Sequence, residues 1–206
     1  EVGQDVTDGN GVATFEWTAE LIAAGYTVVA EFEEDDWYQG DTDSESVTVT
    51  KAATTLDLTL GSATVPFDED VTFTAVLSRN TDGALLAGKT VRFYVDGDEV
   101  GFDTTDADGV ATFTWTANLA ADTYTVEARF ATDDWYLAAS DDEDLTVTKP
   151  ATELVLEISD TNVYFGNSVT FTAELTRTLN GAPLGGKTVR FFVNNVEVGS
   201  DTTGPD

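Results

Sequence analysis

The chain repeats itself at an interval of 98 residues, with no gap anywhere in the match. The segment EVGQDVTDGNGVATFEWTAEL at 1–21 returns as EVGFDTTDADGVATFTWTANL at 99–119. VTFTAVLSR at 71–79 returns as VTFTAELTR at 169–177, and GKTVRFYV at 88–95 returns as GKTVRFFV at 186–193. Trp17 and Trp115, Trp37 and Trp135, and Lys51 and Lys149 keep the same spacing. A period this long lies in the size range of a small domain, so the chain is one unit in tandem. Two periods use 196 of the 206 residues, and the ten left over, 197–206, are the equivalents of the first ten. The sequence therefore opens and closes at the same phase of its repeat.

The pattern inside one period sets that phase. Leu56, Leu58 and Leu60 alternate with Thr and Asp; Val71, Phe73, Ala75 and Leu77 share one face, as do Val91, Phe93 and Val95. A turn at Asp96-Gly97-Asp98 leads into a short run from Glu99 to about Asp103. After a second turn at 106–109 come Ala111, Phe113 and Trp115, next Tyr124, Val126, Ala128 and Phe130, and last Leu145 and Val147. Apolar residues at every second position, punctuated by Gly and Asp turns, mark half-buried strands, and no stretch shows a helical period. Seven such runs in about a hundred residues predict an all-β immunoglobulin-like sandwich. One complete domain of about seven strands is expected over 53–150. Residues 1–52 then hold only the last four strands of one sandwich, and 151–206 only the first four of another.

The run LAADTYTVEARFATDDWYLAASDDEDLTVT at 119–148 resembles the bacterial immunoglobulin-like repeats of prokaryotic surface proteins. GKTVRFYVDGDEVG at 88–101 and DGVATFTWT at 108–116 fit the same family pattern, and the likeness covers the whole chain. The resemblance implies the sandwich fold and an extracellular, cell-surface or secreted setting. It implies a spacer, stalk or adhesin shaft and names no ligand. The pattern departs at Asp122-Thr123, where the other copy has Ala24-Gly25, and Trp37 and Trp135 are large for their place. The family usually lacks disulfides, so the absence of cysteine is no obstacle.

A half sandwich cannot hide its inner face. Residues 1–52 alone would leave Phe15, Trp17, Tyr26, Val28 and Phe32 uncovered, at roughly 1.5–3 kcal/mol each or about 7–15 kcal/mol together. Their complements are Val169, Phe171, Val189 and Phe191 in the last fragment. The fragments are not expected to meet within one chain. The link from a last strand ending near Thr50 to a first strand beginning near Thr54 reaches ~10 Å, whereas strands of about eight residues make a domain ~27 Å long. Either the early strands of one subunit combine with the late strands of the next, giving a head-to-tail contact that builds a filament, or the sequence is a window on a longer array. The duplicated ten residues are awkward for the first reading and natural for the second. A truncated fragment folding by itself is a third.

The composition limits the chemistry. With no His, Cys or Met, Ser-His-Asp triads, Cys nucleophiles, thiolate or imidazole zinc sites and the usual haem and iron–sulfur ligands are removed. Acidic side chains number 39 against 9 basic ones, for a net charge of −30, which repels nucleic-acid phosphates. No apolar run approaches the roughly 18 residues of a membrane span. Enzyme activity, organic cofactors and nucleic acid are not expected. Asp106-Ala107-Asp108-Gly109 contains a D-x-D-G fragment, but an EF-hand register would place Trp115 where a bidentate Glu is required. An Asp-Gly turn is the simpler reading. A different calcium site from Asp103, Asp106 and Asp108 is the alternative.

The remaining polar clusters have a plain reading and a functional one. The acidic runs at 33–36 and 141–144 read as solvated surface. Trp37-Tyr38 and Trp135-Tyr136 fall between the sixth and seventh strands. Exposed, they would stack on sugars; packed, they cap the sandwich or meet the adjoining domain. Tyr26 and Tyr124 are placed for a tyrosine-corner hydrogen bond. Arg92, Tyr94 and Arg129 face outward as a patch, with Arg92 and Arg190 pairing with acids such as Glu127. Lys89 and Lys187 open the third strands without an assignable partner. The expected function is structural: an extracellular filament, stalk or surface-layer element of head-to-tail domains, whose partner is itself or its continuing array. An adhesin repeat binding carbohydrate or protein through the loop aromatics is the alternative.

Overall fold

The computed structural model describes residues 2–204; Glu1, Pro205 and Asp206, which end the two expected fragments, lie outside the described residues. The protein is all-β. Its strands are β1 (Ala24–Phe32), β2 (Asp41–Val49), β3 (Thr54–Leu60), β4 (Thr64–Pro66), β5 (Asp70–Arg79), β6 (Thr90–Val95) and β7 (Asp98–Thr104). They continue as β8 (Val110–Thr116), β9 (Thr123–Phe130), β10 (Ala139–Thr148), β11 (Thr152–Ile158), β12 (Phe171–Arg177), β13 (Thr188–Val193) and β14 (Val196–Thr202). β3-β5-β8 make a three-stranded sheet and β4-β10-β9-β6-β7 a five-stranded one. β1-β2, β11-β12 and β13-β14 are separate two-stranded ladders. Among the described residues no helix is long and apolar enough to cross a membrane.

The alternation read from the sequence reappears as burial. Leu56, Leu58, Val71, Phe73, Ala75, Leu77, Val91, Phe93 and Val95 are buried, and the residues between them, mostly Thr, Asp and Arg but also Val76 and Tyr94, are more open. Two features were not legible. β4 is an extra, eighth strand between 54 and 148, running parallel to the end of β10 from Thr64 opposite Thr146 to Pro66 opposite Thr148. It carries one inward residue, Val65, which is too little for a periodic signal, and Pro66 is tolerated because the strand lies at a sheet edge. β10 also starts at Ala139 rather than near Leu145. Its first half is acidic, and the Asp141 side chain there accepts the Leu58 amide of β3, in the other sheet, at 2.8 Å through Oδ2.

The chain divides into two compact units. The first comprises residues up to 61, 72–115 and 124–144. Its core is aromatic: ring centroids of Phe73 and Phe93 lie 6.1 Å apart, Phe73 and Trp115 6.2 Å, and Phe93 and Phe113 6.0 Å. Since Phe73 is on β5 and Phe93 on β6, these contacts join the two sheets face to face. Gly101 passes so close that a Cβ there would sit 2.2 Å from the Phe113 ring, so only glycine fits. The second unit comprises 62–71, 116–123 and residues from 145 on. It buries Val65, Val71, Ala117, Leu145 and Val147, and stacks Phe171 on Phe191 at 6.0 Å. Arg177 is nearly buried there and reaches Asp68 at 2.6 Å.

The two flanking stretches differ in how much strand they form. In 151–204 β11 pairs with β12 as β3 does with β5, and β13 with β14 as β6 does with β7. Even the bulge recurs, between Phe93 and Tyr94 and between Phe191 and Phe192. In 2–52 only β1 and β2 form a ladder, and the four strands expected there are not all present. The equivalents of β8 carry no strand because β8 pairs with β5, whose repeat equivalents fall in the other flanking stretch. A strand without a neighbour leaves its backbone donors and acceptors to water, and no ladder results.

Candidate functional site

The loop between β9 and β10 carries the densest chemistry. Its turn is built by Asp133, whose Oδ1 accepts the amides of Trp135 and Tyr136 at 2.9 and 2.8 Å. The Asp133 amide in turn donates to the Tyr136 carbonyl at 3.1 Å. An aspartate bonding forward to the next amides is an Asx turn, so this shape is locally encoded. Lys89 reaches the turn from the start of β6. Its backbone is fixed by the buried Thr105, whose hydroxyl accepts the Lys89 amide at 2.9 Å and donates to the Leu86 carbonyl at 2.6 Å. Lys89 Nζ then lies 2.6 Å from Asp133 Oδ2, and 5.2 and 4.8 Å from the Trp135 and Tyr136 ring centroids. Burial pushes the Asp133 carboxyl up, but the ammonium and the two amides outweigh it and hold it below the usual carboxylate range. The pair and both rings form one cation–π cluster.

The same loop in the first stretch is only half made. Asp35 Oδ1 accepts the amides of Trp37 and Tyr38 at 2.8 and 2.7 Å, and the Asp35 amide bonds the Tyr38 carbonyl at 2.9 Å. No lysine caps it, since the equivalent of Lys89 would precede the first residue. Trp37 is 80 % exposed and Tyr38 is open, whereas Trp135 is 45 % exposed and Tyr136 half-buried. The sequence missed the partner of Lys89. A signal existed: the chain's four lysines fall at only two phases of the repeat, 51 with 149 and 89 with 187.

Around this loop the chain passes into the central strands. The Ala52 amide donates to the Trp135 carbonyl at 2.8 Å, the Leu137 amide to the Ala52 carbonyl at 2.9 Å, and Lys51 Nζ to Thr132 Oγ1 at 3.3 Å. Trp135 and Tyr136 thus lie where one repeat hands over to the next.

Of the three aspartates considered for calcium, Asp103 and Asp106 have their carboxylates engaged by backbone amides, while Asp108 contributes its own amide to Asp106. Asp103 accepts the Thr104 and Thr112 amides, both at 2.8 Å, and Asp106 Oδ1 accepts those of Asp108 and Val110 at 2.9 and 3.0 Å. Asp5 and Asp8 repeat this arrangement, and the amides hold both carboxyls below their usual range. Among the described residues no group of three or more acidic side chains is arranged to hold a metal ion.

The outward patch resolves into local pairs. Arg92 bonds Glu99 rather than Glu127, at 2.6 Å, with Phe102 beneath it at 5.7 Å. Arg129 takes Glu127 at 2.6 Å and lies 4.2 Å from the Tyr94 ring. Arg190 lies 3.7 Å from Glu197, the repeat equivalent of Glu99. Tyr26 forms a corner bond, its hydroxyl donating to the Ile22 carbonyl at 2.8 Å.

The most extensive feature is a contrast between equivalent positions. Val126 is 0 % exposed and Val28 49 %; Leu58 is 1 % exposed and Leu156 55 %. Phe130 is buried and Phe32 open, and Phe15 is open as well. Trp17 and Tyr26 are half-buried, as are Val169, Phe171, Val189 and Phe191.

Residues 58–148 match the bacterial Ig-like domain (group 3). No curated protein matches the chain significantly. Domains of this family typically occur in surface and extracellular proteins, in structural or adhesin-like roles, and are generally non-enzymatic. Residues 58–148, which run from within β3 to the end of β10, are therefore similar to the bacterial Ig-like domains of group 3.

Proposed function

We propose that this chain is a structural segment of an extracellular array of head-to-tail Ig-like domains: a filament, stalk or surface-layer element. Residues 53–150 are a complete domain in this reading, and 1–52 and 151–206 are parts of its neighbours, completed by an adjoining subunit or by continuing chain. One observation carries it: residues at one phase of the repeat are buried in the central domain and open in the flanking stretches, as with Leu58 and Leu156. Apolar surface of this extent on matching faces is interaction surface. The handover at Lys51, Ala52 and Trp135 supports a linear stack, because it ties consecutive repeats through backbone bonds as well as side chains. Electron microscopy of the native material tests the reading: beaded strands with a regular axial spacing are expected, and isolated globular particles would refute it.

A second reading, an adhesin binding carbohydrate through the loop, draws on the 80 % exposure of Trp37. A flat, open indole is a stacking surface for sugars. Binding to a glycan array that is lost on Trp37→Ala and Trp135→Ala would favour it over a purely mechanical role.

A further inference from the structure

The central domain contains the pairing scheme that its neighbours need. β6 runs antiparallel to β9 with Val91 opposite Phe130, Arg92 opposite Arg129, Phe93 opposite Ala128, Tyr94 opposite Glu127 and Val95 opposite Val126. Shifted by one period, the same register sets β13 against β1. Val189 then faces Phe32, Arg190 faces Glu31, Phe191 faces Ala30, Phe192 faces Val29 and Val193 faces Val28. Both strands have a free edge for this, since among the described residues β13 pairs only with β14 and β1 only with β2. Open edges beside apolar faces are templates for another strand.

The places where the repeat departs from itself indicate which strand. In the central domain two arginines, Arg92 and Arg129, stand opposite each other, and each needs its own acid, Glu99 and Glu127. In β1 the Arg129 position is Glu31, so Arg190 would face an opposite charge. The Glu127 position is Val29 and the Tyr94 position is Phe192, so an aromatic facing an acid becomes an apolar pair. Val29 and Phe192 are both exposed in this chain. Differences in one stretch are therefore matched by the other, and cross-strand pairs of these kinds favour their register. The ion pair repeats too, because Lys187 and Asp35 hold the phases of Lys89 and Asp133.

We infer that residues 151–204 of one copy are completed by residues 12–52 of a second copy, in the register given above, with Lys187 capping the Asp35 turn. This rests on the proposed array and names its partner. The doubled ten residues present no conflict. β14 already holds the place beside β13 that β7 holds beside β6, whereas residues 2–8 form no strand. Gly3 now sits against the Phe15 ring as Gly101 does against Phe113. On assembly Gly199 takes that place and residues 2–8 yield. The contact is heterologous and leaves a free face at each end, so growth is linear.

The test uses the full 206-residue chain and sedimentation equilibrium across a concentration series. Val28→Asp and Val193→Asp each put a charge on one of the two faces, at side chains that are exposed in the free chain, 49 % and 46 %. Wild type should grow in mass with concentration. Each variant alone should remain at the 22.0 kDa of one chain. An equimolar mixture should form a dimer and nothing larger, because one intact face of each kind remains. A second set guards against misfolding. Glu31→Arg or Arg190→Glu should weaken association about two- to five-fold, and the chain carrying both should recover it. A wild-type chain that stays monomeric, a single variant that still polymerises, a mixture that stays monomeric or a double swap without recovery each overturns the inference. Beaded native strands together with a monomeric wild-type chain would keep the array and assign its completion to continuing chain.

Discussion

Leu58 and Leu156 are one residue type at one phase of the repeat, in one sequence, with opposite surroundings. Leu58 on β3 is 1 % exposed, and Leu156 on β11 is 55 % exposed. Truncating a buried leucine to alanine removes its transfer free energy and leaves a cavity, together about 2–5 kcal/mol. At about 4–8 °C per kcal/mol for a domain near a hundred residues, a central value of about 3 kcal/mol lowers Tm by roughly 12–24 °C. Truncating a side chain already in water costs less than about 0.5 kcal/mol. Differential scanning calorimetry of the dilute chain should therefore show Leu58→Ala moving the transition of the central domain far down and Leu156→Ala leaving it in place. In assembled material the second substitution should acquire a penalty of the same order as the first, because the completed face has the central domain's packing. Equal shifts in the dilute chain would refute the reasoning, since they would mean that β11 is already packed as β3 is.

Other outcomes follow from the same contrasts. Gly101→Ala drives a methyl into the Phe113 ring and should cost about 1–3 kcal/mol, whereas Gly199→Ala, with nothing within 4 Å, should be close to neutral in the dilute chain by urea unfolding. The folded Asp133 carboxyl lies below its ordinary value, so its contribution is present above about pH 4 and is lost as pH falls through the folded value. Wild type should exceed Asp133→Asn in Tm at pH 6, with the gap closing at lower pH; a gap that widens below about pH 4 refutes the Lys89–Asp133 account. With 39 acidic and 9 basic side chains, Tm should rise between about 0.05 and 1 M NaCl as self-repulsion is screened; a flat or falling curve counts against that. Calcium should raise Tm no more than magnesium at equal ionic strength, because the Asp103 and Asp106 carboxylates are engaged by amides. A calcium-specific rise that Asp106→Asn abolishes would establish the site.

The sequence by itself determined whatever a short stretch can satisfy alone. Asp5 and Asp8 make the same turn as Asp103 and Asp106, although no strand forms before Ala24 and the second turn joins β7 to β8. The β13–β14 hairpin reproduces the register and bulge of β6–β7, and the Asp35 turn that of Asp133. Period-2 alternation likewise marked the inward side of β3, β5, β6, β8, β9 and the end of β10. Three things depended on residues far apart in the chain. β4 exists only because the end of β10 offers it a partner, and its repeat equivalents around Asn162 and Val163, without that partner, form no strand. The equivalents of β8 fail for want of β5. Lys89 and Asp133, 44 residues apart, become an ion pair only once β6 and β9 lie side by side. Turns and hairpins close their own hydrogen bonds, whereas a ladder between distant strands and a dry interior need both sheets present at once. That is why identical alternating patterns yield a core at Phe73 and Phe93 and an open face at Val28 and Leu156.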